Sequence, residues 1–317
     1  MRKLVLGFAV LLLTSVAAAQ QYPTRPVRLI IHFPAGGSTD LVARTLAQAL
    51  SESMGQPFIV ENRTGADGAI AAAAVMQSQP DGHTLFIATN TAIAQVPLLK
   101  KNPPYDPLVA FTPVSLVGRY TFLLVVTPKL GVDNFHDFVA YARQNPGKIN
   151  FSTYSGASQL AYAQIVKTAG VDMLRVPYKG EAPSVTDILG GSIHAVFATP
   201  TSTLAHIREG RLKALAVTLP QRWPLLPEVP TTVEAGMPPI RVEFFAAMYG
   251  PAGMPEGVAY RLSRELKEIM GRPQIREAID RQGFALAGST PDELRAFTQQ
   301  QLAAWKQGFE DAGMQPE

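Results

Sequence analysis

The sequence predicts an α/β protein built as two lobes. Three observations carry the expectation. Short β-branched runs alternate with helical patterns along most of the chain. The alternation occurs as two separate units, one before residue 90 and one after residue 133. In both units, loops of small residues join the end of a strand to the start of a helix.

Residues 27–33 form the first strand and stop at Pro34-Ala35-Gly36-Gly37. Ser38 or Thr39 is placed to cap a helix, with Asp40 in its first turn. Leu41, Val42, Thr45, Leu46, Ala49, Leu50 and Met54 keep helical spacing, and Gly55 ends the helix. Residues 57–61 read as a second strand, 65–68 as a turn into an alanine-rich helix, and 84–89 as a third strand. This order predicts a parallel sheet with helices on its faces.

The second unit opens with an amphipathic helix over 133–144. A strand over 149–153 turns through 154–158 into a helix over 159–169. A strand over 173–178 leads through Lys179-Gly180 into a helix ending at Leu189. A strand over 195–198, a helix over 203–209 and a strand over 212–218 complete it. Residues 220–239 are proline-rich and irregular, and three helices follow over 256–270, 273–282 and 290–312.

Two extended stretches, 122–127 and 244–249, are candidates for two crossings between the units. The second unit is then an insertion. One lobe comprises 20–124 with 245–317, the other 125–244. Such a topology leaves a cleft between lobes, where ligands bind preferentially.

The first nineteen residues read as an export signal. Arg2 and Lys3 precede an apolar run over 4–13, and Ala17-Ala18-Ala19 offers a small-residue cleavage site, so Gln20 is the expected mature N-terminus. The run is shorter than the roughly 20 residues needed to span a bilayer. With no cysteine after the cut, lipid anchoring is excluded; the expected location is the periplasm. Losing Arg2 and Lys3 takes the formal charge from +3 to +1, too little for the basic face of a nucleic-acid binder. The absence of cysteine excludes disulfides, thiolate metal sites and a cysteine nucleophile.

In open α/β sheets, ligands sit beyond the carboxyl ends of the strands. The loops there are 34–39, 153–158 and 178–181. A helix N-terminus presents unpaired N–H groups and the positive end of its dipole, which suits an anion. Ser38, Thr39, Thr153, Ser155 and Ser158 add hydroxyls. The competing reading is of tight strand-to-helix turns that bind nothing. Asp40 either meets a ligand ammonium or only complements its helix dipole. Arg44 reads as solvated surface, and His32, on the first strand, as a packed histidine rather than a base. Phosphate-loop, dinucleotide and serine-hydrolase motifs are absent, and no histidine pair has zinc-site spacing. No cofactor or metal is therefore expected.

Several segments, in order, carry a resemblance. They include YPTRPVRLIIHFPAGGSTDLVARTLA (22–47), VENRTGADGAIAA (60–72), PDGHTLFIAT (80–89), NFSTYSGASQLA (150–161), VPYKGEAPSVTDILGGSI (176–193) and PEVPTTVEAGMP (227–238). Together they resemble the Bug-type extracytoplasmic solute receptors, the substrate-binding proteins of tripartite tricarboxylate transporters. The resemblance implies a two-lobed type II periplasmic-binding-protein fold with a hinge. It also implies capture of a small carboxylated solute by main-chain amides, hydroxyls and ordered water, with delivery to an inner-membrane permease. The matching positions are Pro34, Ala35, Gly36, Gly37, Ser38, Thr39 and Asp40 in the first loop. They are Ser155, Gly156, Ala157 and Ser158 in the second, and Tyr178, Lys179 and Gly180 in the third. Thr89 and Asn90, at the end of another first-lobe strand, are further candidate contacts.

There are departures. Many members carry Asp at the positions of His194 and Ala198, and the second acid often faces the cleft. Its replacement by Ala198 argues for a carboxylate without an amine: a dicarboxylate, an aromatic acid or a nicotinate-like acid. Members also commonly have Trp near Phe244-Phe245, so Phe245 either supplies an aromatic wall or packs in the core. The expected protein is thus a monomeric, non-enzymatic solute receptor. A ligand sensor acting through a sensor kinase is the alternative reading, and an exported enzyme a weaker one, because no nucleophile, base and oxyanion donors assemble in the sequence.

Overall fold

Two mixed β-sheets organise the chain, and the chain passes from one to the other and back. The computed structural model describes residues 22–218, 221–237 and 244–316. The expected export signal lies outside them. In chain order the strands are β1 (Val27–Ile31), β2 (Phe58–Asn62), β3 (Thr84–Thr89), β4 (Phe111–Tyr120), β5 (Leu123–Val126), β6 (Asn150–Thr153), β7 (Leu174–Pro177), β8 (Ala195–Ala198), β9 (Lys213–Val217), β10 (Phe245–Pro251) and β11 (Phe284–Leu286). The main helices are α1 (Ser38–Met54), α2 (Ala69–Met76), α3 (Phe135–Gln144), α4 (Gly156–Ala169), α5 (Glu181–Gly190), α6 (Pro200–Arg208), α7 (Glu256–Gly271), α8 (Pro273–Asp280) and α9 (Pro291–Ala312).

The first sheet has the order β11-β4-β10-β3-β1-β2, the second β7-β6-β8-β5-β9. In each, the strand–helix alternation yields the expected parallel core: β2-β1-β3 in the first sheet and β7-β6-β8 in the second. Both sheets are mixed, however. β10 runs antiparallel to β3 and β4, and β5 antiparallel to β8 and β9. The stretches expected as bare crossings, 122–127 and 244–249, therefore hold strands inside the two sheets. Their near-continuous apolar character is the mark of a strand buried on both faces. The expected changeover at 124/125 falls within β5.

α1 illustrates how sequence becomes packing. Val42, Ala43, Leu46, Ala47, Ala49 and Leu50 are buried, at the spacing of one helical face. Full burial of Leu46 and of Leu50 contributes roughly 1.5–3 kcal/mol each. Gly55 stops the helix in the left-handed conformation, its N–H returning to the Ser51 carbonyl. At the other end the expectation changes. The N-cap is Gly37, in extended conformation with no side-chain cap, and Ser38 and Thr39 already lie within the first turn.

The passage between sheets is narrow. The Tyr120 amide donates to the Phe244 carbonyl at 2.8 Å, and the Thr218 amide to the Phe122 carbonyl at 2.9 Å. The Phe122 amide donates to Thr218 Oγ1 at 3.1 Å. Aromatic rings pack around this junction. Phe122 lies 4.9 Å from Phe244, Phe244 lies 5.8 Å from Trp305, and Tyr120 lies 4.7 Å from Phe284. β11 brings Phe284 there by pairing with β4, Phe284 opposite Tyr120 and Leu286 opposite Gly118.

A side chain at Gly118 has no room. A Cβ there would fall 2.3 Å from the Ala285 carbonyl oxygen and 2.4 Å from the Phe284 ring. Gly118→Val should therefore displace β11 and lower stability by about 1–3 kcal/mol, the usual cost of overpacking. A shift in the denaturation midpoint checks this; an unchanged midpoint would mean that β11 is dispensable to the junction.

Candidate functional site

Four helices begin at one place. α1 follows β1 through Gly37, α4 follows β6 through Ser155, α5 follows β7 through Gly180, and α6 follows β8 through Thr199. Their N-terminal residues line one cleft between the two sheet units, enclosing about 590 Å³ including its open mouth. The positive ends of their dipoles converge on it.

The first loop supplies Pro34, Ala35, Gly37, Ser38 and Thr39 to the wall. Gly36 stands behind, its amide donating to Asp40 Oδ2 at 3.0 Å. Asp40 is buried and does not line the cleft. It also accepts from Arg44 Nε at 2.8 Å and Asn62 Nδ2 at 2.9 Å. Burial opposes its charge, but these donors outweigh burial and hold its carboxyl below the usual carboxylate range. Asp40 is thus a clamp on the loop. Arg44, solvated as expected, is also its ion-pair partner.

Thr89, Asn90 and Thr91 enter the cleft from the end of β3. Behind them His32 sits 3.1 Å from Thr89 Oγ1 through Nε2. Burial pushes the His32 imidazole down to about 3, so it is neutral and does not act as a base near neutral pH. Asn90 is 3% exposed, and its Nδ2 has no hydrogen-bond partner.

From the second unit, Ser155 and Ala157 line the cleft, but Gly156 and Ser158 do other work. Ser155 caps α4, accepting from the Ser158 amide, while Ser158 Oγ accepts from the amides of Tyr154 and Ser155. Ser158 is fully buried by that duty. The Gly156 amide donates across to Thr91 Oγ1 at 3.2 Å, and a Cβ at Gly156 would fall 2.4 Å from Gln95 Oε1. Only glycine allows that approach.

The remaining expected residues lie elsewhere. Thr153 and Tyr178 line a wider outer space that meets the cleft at Tyr154 and Ser155. The Tyr178 hydroxyl is held by Asp187 at 2.5 Å. Lys179 is exposed, while Gly180 lies against Pro34. Phe245 resolves to the core: it is fully buried and meets Phe297 edge-on at 5.0 Å. Ala198 is likewise core, interior to its sheet.

Several lining residues were not anticipated. Tyr120 and Phe122 arrive from the junction between sheets, and Tyr154, Glu181, Ala182, Pro183 and Thr199 from the second unit. Thr39 Oγ1 and the Tyr120 hydroxyl are 2.6 Å apart. The Tyr154 hydroxyl is buried without a hydrogen-bond partner. Burial, with Glu181 nearby, pushes its pKa well above the ordinary tyrosine value, so it stays a neutral donor. The acid missing at Ala198 has a counterpart: Glu181, at the end of the third loop, enters from α5 and accepts the Thr199 amide, the residue directly after Ala198. Among the described lining residues, none is Lys or Arg, and Glu181 alone is charged.

The chain matches the family described as tripartite tricarboxylate transporter family receptor over residues 42–314. It is 36% identical to the protein BugT of Bordetella pertussis over 293 residues, covering 91% of this chain and 89% of that one. Among solved structures it is similar to R. palustris Rpa4515 with adipate, at 32% identity and a TM-score of 0.89, covering 93% of this chain and 100% of that one. It is also similar to MatC from Rhodopseudomonas palustris with bound malate, at 27% identity and a TM-score of 0.84, covering 90% and 99%. The two-lobed fold expected from the sequence is shared with the solved periplasmic binding protein BugD, at 33% identity and a TM-score of 0.87, covering 93% of this chain and 100% of that one.

The neutral His32 makes stability depend on pH. Its folded pKa lies below the unfolded value of about 6.5, so the unfolded chain takes up the proton first as pH falls. Its contribution is present above about pH 6.5 and declines below it, by about 2 kcal/mol between pH 7 and 5. Denaturant melts at the two pH values should show this loss, and His32→Gln should flatten it. An equal slope in the variant would place the dependence on other groups.

Proposed function

The chain belongs to the tripartite tricarboxylate transporter receptor family, and from that premise we propose that it captures a small carboxylate between its lobes and delivers it to an inner-membrane permease. One observation supports this above the rest. Two buried donors without partners, Asn90 Nδ2 and the Tyr154 hydroxyl, line the same cleft from opposite sides. Four helix N-termini converge around them. A carboxylate supplies acceptor oxygens to both donors and relieves two unsatisfied buried groups, each costing about 1–3 kcal/mol. The site needs no cation for this, because preorganised N–H and O–H dipoles stabilise the charge. The adipate and malate bound by two relatives support a small acid as ligand.

In this reading the lobes are the two sheet units, 20–124 with 245–317 and 125–244, the first changeover moved to the segment just before β5. The hinge is the junction of Tyr120, Phe122, Thr218 and Phe244. The chain works in the periplasm as a monomer after cleavage following Ala19, and it is a receptor without turnover. None of the described helices is long and apolar enough to cross a membrane.

Native mass spectrometry of the protein purified under mild conditions should reveal a small acid that leaves on denaturation. Its addition to ligand-free protein should raise the melting temperature, because only the folded state binds, and reduce the radius of gyration on closure. Asn90→Ala should weaken binding by about tenfold to a hundredfold, the loss of one hydrogen bond to a charged group. Chemical conversion of the bound acid would replace the receptor reading with an enzymatic one; no compaction at saturation would remove the hinge.

A further inference from the structure

Glu181 is unexpected in a site for anions. It stands at the first position of α5 and lines the cleft. Its two carboxylate oxygens are unequally used. Oε1 receives the Thr199 amide at 2.5 Å, the Ser202 hydroxyl at 2.5 Å and the Thr199 hydroxyl at 2.9 Å. Oε2 has only the same Thr199 hydroxyl, at 3.0 Å.

The amide N–H can only donate, and three donors on one oxygen are the surroundings of a carboxylate rather than of a carboxylic acid. Oε2 keeps acceptor capacity, and the Tyr154 hydroxyl stands close to the carboxylate. Burial acts against the charge and raises the pKa of Glu181, and the hydroxyls and amide around it counter only part of that. A ligand carboxylate alone would place two like charges in one cleft whose described lining has no Lys or Arg. The cleft thus holds two idle donors, Asn90 Nδ2 and the Tyr154 hydroxyl, and one under-used anionic acceptor.

Resting on the receptor reading above, we propose that Glu181 is a specificity-determining residue that selects a carboxylate carrying its own ammonium group. The carboxylate takes the idle donors and the ammonium takes Oε2, so the closed cleft gains no net charge. The ligand class is an amino acid or a related amino-carboxylate. This reverses the inference drawn from Ala198: the acid is supplied by another helix, whose side chain reaches the main chain beside that position.

The test is a melting-shift and calorimetry panel near pH 7.5. It pairs each α-amino acid with its hydroxy and deaminated counterparts, such as L-aspartate with L-malate and succinate, or L-glutamate with 2-hydroxyglutarate and glutarate. The wild type should bind at least one amino member about tenfold or more tightly than its amine-free counterparts. Glu181→Gln should lose that preference while keeping its unliganded melting temperature. If Glu181→Gln does not fold, the wild-type panel decides alone. Equal or tighter binding of amine-free acids by the wild type would overturn the selector and leave the receptor reading intact. So would a preference that survives Glu181→Gln, or an amine-free acid that binds with uptake of a proton. A panel in which no acid stabilises either protein would instead count against the carboxylate receptor itself.

Discussion

The chain moves between its two sheets at a single narrow junction, and the rest of the site depends on that constraint. Tyr120, Phe122, Thr218 and Phe244 lie side by side there, tied by main-chain hydrogen bonds and packed by Phe284 and Trp305. Strands that leave this point on either side direct their carboxyl-end loops toward one another. The cleft is therefore floored by the junction: Tyr120 and Phe122 are at once part of the crossing and part of the wall. A ligand touching them would lie directly on the elements that any relative motion of the lobes must bend.

The electrostatics follow from the same geometry. Because four helices start at the cleft, its walls are rich in N–H groups and partial positive charge before any side chain is considered. A Lys or Arg side chain fixed in such a place, with no carboxylate left to pair it, would face the ends of four dipoles and a desolvation penalty. The side chains that the site does use are small or neutral, and the acids are occupied. Asp40 is consumed by the Gly36 amide and Arg44, which keeps the first loop in shape without presenting charge to a ligand. Glu181 is consumed mainly through Oε1, with one shared hydroxyl on Oε2, which is why it, of the two, is the acid proposed to bear on ligand choice.

Much of this was legible in the chain. The strands Thr84–Thr89 and Ala195–Ala198 have the bounds that their apolar runs predict, because β-branched runs closed by polar residues leave few alternatives. The loops at 34–39 and 154–158 were visible as small residues ahead of helical periodicity. What stayed hidden required tertiary pairing. β4 contains a proline and a glycine that obscure its pattern, and β11 is three residues long, held only by its pairing with β4. Phe122 reads as the start of a crossing and Tyr120 falls outside every predicted element, and nothing local marks either as wall. Ser158 looked like a ligand hydroxyl but is spent on its own helix, a use that capping residues make equally probable from sequence. Glu181 reads only as the last residue of the 178–181 loop; its reach to Thr199 depends on where α6 begins.

Polar contacts join the lobes across the cleft, beside the apolar packing at the junction and the core cluster that runs through both sheets. The Gly156 amide meets Thr91, Gln95 meets Gln159, and Thr201 meets Ser38 and the Gln282 carbonyl. Each exchanges a water hydrogen bond for a protein one and so contributes only about 0.5–1.5 kcal/mol net. Gly156 and Gly180 let main chains approach without adding apolar area there. In the receptor reading proposed above, contacts of this size are comparable to the differential affinity by which a ligand shifts a conformational population. The two unsatisfied donors work in the same direction. In that reading they penalise closure over an empty cleft and reward closure over an acceptor, so the unpartnered Asn90 and Tyr154 groups leave closure for the ligand to complete.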